Sequence, residues 1–168
     1  CYAGQGRFVS AYRDTSGNFR FRVLTVNTTT YAITVGSETY VGGSAVGIQN
    51  DSSQRYQTRL IWHPPTNKII FVYCQSSDTF YRAYYGTMNY SSNTIDTWAN
   101  TNYPIWGTTE TFIINDSPAL AYDPDTQKII FYAFYNGSTA SVSAIAMTIN
   151  ANDITMGTRY EVQQGSGM

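Results

Sequence analysis

Leu60-Ile-Trp-His-Pro-Pro-Thr-Asn-Lys-Ile-Ile-Phe71 returns further along the chain as Leu120-Ala-Tyr-Asp-Pro-Asp-Thr-Gln-Lys-Ile-Ile-Phe131, with seven of the twelve positions identical. Just upstream, Ile48-Gln-Asn-Asp-Ser52 is echoed by Ile113-Ile-Asn-Asp-Ser117. A second marker occurs three times, as Thr25-Val-Asn27, Thr87-Met-Asn89 and Thr148-Ile-Asn150, and a third joins Ile33-Thr-Val-Gly-Ser-Glu-Thr-Tyr-Val41 to Ile154-Thr-Met-Gly-Thr-Arg-Tyr-Glu-Val162. The markers keep one order and nearly one spacing, the signature of a chain built from repeats of about sixty residues.

Each copy reads as a β-meander. A short strand enters a turn such as Asp123-Pro-Asp-Thr126, where Pro pre-sets φ and Asp caps the backbone. The apolar run from Lys128 to Tyr135 follows, the pattern of a strand buried on both faces. Asn136-Gly-Ser138 signals a hairpin, an alternating strand runs from Val142 to Ile149, and a last strand runs from Ile154 to Val162. The composition agrees. Charged residues are 12% of the 168, about half the usual share, and aromatics are 15%, which suits pleated surfaces better than helices. The sequence therefore predicts one all-β, repeat-built domain spanning 1–168, with repeats at about 1–59, 60–119 and 120–168. The expected architecture is a propeller-like array of about three four-stranded antiparallel sheets, with a β-sandwich-like arrangement as the alternative. The first copy starts at Arg7-Phe-Val-Ser-Ala-Tyr12, the counterpart of residues 68–73, so its opening strand is missing and its sheet is expected to be one strand short.

The net charge of −1 gives no basic footprint for nucleic acid and no polybasic membrane patch. The apolar runs are too short for a membrane span. The chain opens on Cys1 with neither an initiator Met nor a signal-peptide pattern, which reads as a start at a processing site or as a segment of a longer polypeptide. Cys1 and Cys74 are candidates for a disulfide; two free thiols, or an acyl anchor on Cys1, are the alternatives.

At these motifs the chain resembles the propeller-like β repeats of tail-fibre and other structural proteins of aquatic phages and of related bacterial surface proteins. Residues 122–135 and 154–162 carry the full form, 62–73 its first half and 33–41 its second. The resemblance implies a propeller-like fold and an extracellular or virion-surface setting, and it brings no catalytic residues. Three repeats fall short of the usual four to eight blades, which argues against a closed single-chain propeller.

The chemistry-bearing residues are mostly accounted for by turns. His63 is the only histidine, and its repeat counterpart is Asp123 in the same Pro-containing turn. Asp123, Asp125 and Gln127 alternate as in a calcium loop, yet the second copy has His63, Pro65 and Asn67 there and no Glu closes the loop. A propeller glycosidase needs two carboxylates flanking its substrate, but Asp51, Asp116, Asp123 and Asp125 fall in repeat turns and no acid breaks the symmetry. Neither a metal nor another cofactor is implied. Five sequons, at Asn27, Asn50, Asn89, Asn115 and Asn136, are candidates for N-glycosylation. The irregular stretch from Trp98 to Trp106, with Tyr103 between, is the candidate aromatic contact surface.

The expected function is a non-catalytic structural subunit of an extracellular fibre or virion appendage, with copies of itself as partners and assembly through β-strand edges. Residues 1–6 and 163–168 are the candidate donor strands. A glycan-binding adhesin or lectin-like propeller, and a fragment of a secreted propeller glycosidase, are the alternatives.

Overall fold

The computed structural model describes residues 1–16, 18–41, 58–74, 80–100, 105, 118–136 and 140–164. Among them are eleven strands and no α-helix: β1 (Arg7–Arg13), β2 (Phe19–Val26), β3 (Ile33–Tyr40), β4 (Arg59–His63), β5 (Lys68–Cys74), β6 (Tyr81–Asn89), β7 (Thr94–Asn100), β8 (Ala119–Asp123), β9 (Lys128–Asn136), β10 (Ala140–Ile149) and β11 (Ile154–Gln164). They form three antiparallel sheets, none closed on itself, with strands in chain order: β1-β2-β3, β4-β5-β6-β7 and β8-β9-β10-β11. One sheet corresponds to each repeat, and the first has three strands, as the phase of the repeat implies.

Local chemistry sets the turns alike in each copy. Asn67 and Gln127 both adopt left-handed φ, 53° and 54°, just before the shared Lys that opens β5 or β9. Asn27 closes the β2–β3 turn by accepting from the Thr29 and Thr30 amides at 2.9 Å, and Asn89 does the same for Ser91 and Ser92 before β7. These side chains mimic a backbone turn, which is why Asn recurs there.

The second sheet lies between the other two. One buried cluster joins Val9, Phe19, Phe21 and Val23 of the first sheet to Ile69, Phe71, Tyr73 and Tyr84 of the second. The other joins Ile70, Val72, Ala83 and Tyr85 to Ile129, Phe131, Ile145 and Met147 of the third. Alternate residues of β5 thus point to opposite neighbours, and the whole run from Ile69 to Val72 is fully buried. We call the face of a sheet turned toward the preceding sheet its trailing face, and the opposite one its leading face. Strand β9 departs from the sequence reading. The apolar run predicts cover on both faces, but among its described side chains only the trailing residues Ile129, Phe131 and Ala133 are buried, while Tyr132 is 40% exposed and Ile130 partly exposed. No described sheet lies against the leading face.

The terminal segments are engaged within the chain. Gly4, Gln5 and Gly6 take left-handed φ of 79°, 48° and 71°, turning residues 1–3 back along β1. Tyr2 bridges Phe8, Ala3 N donates to Arg7 O, and the backbones of Cys1 and Val9 exchange two bonds of 2.8 Å. This short segment takes the place of the missing first strand over part of its length. At the other end, Gln163 and Gln164 pair with Val142 and Ser141 of β10. The expectation that residues 1–6 are a free donor strand is therefore corrected: glycines allow a tight reversal, and the nearest open edge is the chain's own. Of the 163–168 segment, the first two residues belong to β11 and the rest lie outside the described residues.

Candidate functional site

The contacts between sheets are where this fold concentrates its specific chemistry. Arg7, at the start of β1, points forward across the first interface. Its Nε donates to Asn93 Oδ1 of the second sheet at 3.1 Å, and its guanidinium lies 5.8 Å from the Tyr90 ring centre. Lys68 holds the same place on β5. It is buried, with its amine 4.3 Å from the Tyr85 ring centre, and Tyr85 in turn donates to Asn152 O of the third sheet. Desolvation pushes the Lys68 amine below the usual lysine range and the Tyr85 phenol above its own. Lys128 is the third member of the set, and its amine donates to Thr148 of its own sheet, at 2.7 Å.

The N-terminal turn adds a second clasp at the first interface. Tyr90 donates to Ala3 O at 2.7 Å, and Tyr2 meets Trp62 edge-on at 6.1 Å. A methyl group on Gly4 would come within 2.9 Å of two Trp62 ring atoms, so the close approach requires glycine.

His63 is buried at the contact between β4 and the third sheet. Its Nε2 donates to Gln127 O at 3.1 Å, its Nδ1 accepts from the Thr66 hydroxyl at 2.8 Å, and Tyr122 meets the ring edge-on. Burial, followed by Lys128, works against the imidazolium and lowers its pKa, while the bond to Gln127 works the other way. The position Asp123 fills in the third copy as a turn cap is filled in the second by an inter-sheet contact. Asp123 itself accepts from the Asp125 amide and the Thr126 hydroxyl, and these bonds hold its carboxyl below the usual range. Among the described residues no three His, Cys, Asp or Glu side chains gather as a metal site.

The remaining candidates separate. Trp98 is half-buried, its ring 4.4 Å from Phe21 across the first interface and lying over Gly86, so it packs two sheets together rather than presenting a surface. Tyr103 and Trp106 lie outside the described residues, as do Asn50 and Asn115 and the side chain of Asn136. Asn27 is exposed and Asn89 partly so, and both cap turns. The Cys1 thiol is exposed and free; the Cys74 side chain lies outside the described residues.

The sequence reading missed the two open ends of the stack. On the trailing face of the first sheet, Glu38 receives the Tyr12 hydroxyl and pairs with Arg20 and Arg22, while Asp14 pairs with Arg20 at 2.7 Å. The Asn18 amide, helped by Arg20, holds Asp14 down to about 2. Beside this network Phe8, Ile33 and Val35 stand exposed. The repeat alignment carried the signal for Phe8 and Ile33, whose positions are apolar in both other copies. No described helix is long and apolar enough to cross a membrane. Comparison with protein-family models, curated proteins and solved structures finds no match to the chain.

Proposed function

We propose that this chain is a non-catalytic structural subunit of an extracellular fibre or virion appendage, whose function is to bind copies of itself. One observation carries the reading. Successive repeats dock through equivalent positions, Phe71 of β5 against the first sheet and Phe131 of β9 against the second, and large apolar side chains stand exposed at both ends of the stack, Phe8, Ile33 and Val35 at one and Tyr132 at the other. A fold whose internal contacts are serial copies of one contact is suited to extension by further copies. The repeat form shared with phage fibre proteins supports the same setting. The adjacency of the first strands, β4 beside β8, supports a propeller-like arrangement of the sheets. With the N-terminal donor already paired to β1, open sheet faces replace strand edges as the source of contact.

Exposed tyrosines, among them Tyr31 and Tyr160, favour a second reading as a glycan-binding adhesin, because such rings stack on sugars. Electron microscopy of native material separates the two. Ordered filaments or virion fibres are expected; dispersed particles that bind a glycan array replace the first reading with the second.

A further inference from the structure

The two open faces of the stack are the two halves of an interface that the chain already makes twice. The leading face of the third sheet is equivalent to the leading face of the second, which the third sheet covers. The trailing face of the first sheet is equivalent to the trailing faces that bury Phe71 and Phe131. The ladder registers fix the equivalence: Ile33 pairs with Val26 as Ile95 pairs with Met88 and Ile154 with Ile149. Ile95 and Ile154 are 2% and 5% exposed, yet Ile33 is 63% exposed; Val35, two residues on, is 51% exposed. Phe8 stands where Ile69 and Ile129 are fully buried. An apolar side chain kept at three equivalent places, buried at two and bare at the third, marks a surface whose cover is absent.

Resting on the fibre reading above, we infer that the leading face of the third sheet binds the trailing face of the first sheet of a second copy of this chain. The shapes suit each other. Around Ile130 and Tyr132 the leading face is paved with alanines: the ladder sets Ala121 and Ala146 beside Ile130, and Ala119 and Ala144 beside Tyr132. Such a face admits larger incoming groups, and Phe8, Ile33 and Val35 supply them, so large and small side chains interdigitate. Lys128 waits where Arg7 and Lys68 serve internal interfaces, and the Asn27 turn of the incoming sheet is the equivalent of the Asn89–Asn93 segment that meets Arg7. The Asp14–Arg20–Glu38–Arg22 network is already paired within itself, so these charges reach the contact with partners of their own. The contact is heterologous, so its rotation decides between a ring and a filament.

The test uses the whole chain and light-scattering mass after gel filtration. Ala146→Arg spoils the leading face and Val35→Arg the trailing face; both positions look outward, and circular dichroism confirms that each variant folds. The unaltered chain is expected to associate, each variant alone to run as a monomer, and an equimolar mixture to give a species of twice the monomer mass, because one intact pair of faces remains between them. Association that survives in both variants, or a mixture that stays monomeric, overturns this pairing while self-assembly stands. An unaltered chain that stays monomeric at its highest soluble concentration overturns the pairing and the fibre reading together.

Discussion

Phe71→Ala probes the packing of the first and second sheets most directly. The ring is fully buried, with centroids 4.6 Å from Phe19 and 5.1 Å from Phe21 across the interface, and 5.8 Å from Tyr73 along its own strand. Truncating a buried Phe costs about 3–5 kcal/mol in lost transfer energy and residual cavity. The two inter-sheet ring contacts, at about 0.5–1.5 kcal/mol each, place this site in the upper half of that range. For a chain of this length each kcal/mol moves Tm by about 2–4 °C, so a fall of roughly 8–20 °C is expected by circular dichroism. Ser10→Ala, at the equivalent position on the uncovered face of β1, should stay within about 0.5 kcal/mol. Combining Phe71→Ala with Phe21→Ala should reveal coupling of about 0.5–1.5 kcal/mol. Loss of less than about 2 kcal/mol for Phe71→Ala, or strict additivity with Phe21→Ala, refutes the stacked-sheet packing.

Three further outcomes follow from named contacts. The buried His63 imidazole favours its neutral form, so its contribution to stability is complete above the ordinary histidine value of about 6.5 and is lost as pH falls toward the lower folded value; His63→Gln should flatten that part of a stability–pH curve, and an unchanged slope counts against the burial of the imidazole between β4 and the third sheet. Asp14, held at about 2, should titrate there by NMR, with its turn intact above the ordinary carboxylate range and loosening as pH falls through that midpoint; a midpoint at the usual carboxylate value contradicts the bonds from Asn18 and Arg20. Tyr90→Phe removes the bond to Ala3 O, should cost about 1 kcal/mol, and should speed amide exchange at Ala3 and Val9; unchanged exchange means that other contacts pin the N-terminal turn.

The strands, their order and the short first sheet were legible because repetition and turn chemistry are local. Asn27, Asn67, Asn89 and Asp123 announce turns through their own side chains. What lay beyond reach depended on neighbours. β5 and β9 carry nearly the same apolar run, yet one is covered on both faces and the other on one, since periodicity records what a strand can bury and not whether a partner is there. Trp98 sat in an irregular stretch and read as a surface ring; Gly86, on the strand paired with its own, opens the space that draws it inward. The return of residues 1–3 along β1 rests on three consecutive left-handed residues, of which the Gly-Gln-Gly segment is only a permissive hint.

The burial of β5 from both sides has a consequence for how this molecule opens. A sheet at either end of the row can detach by surrendering one apolar face, but the middle sheet must surrender two. Its amides are therefore released only when both neighbours have gone, and their exchange tracks global unfolding while the flanking sheets exchange through smaller openings. In an extended assembly every interior sheet would stand as the middle sheet does here, so fraying would be confined to the tips and durability would grow with length.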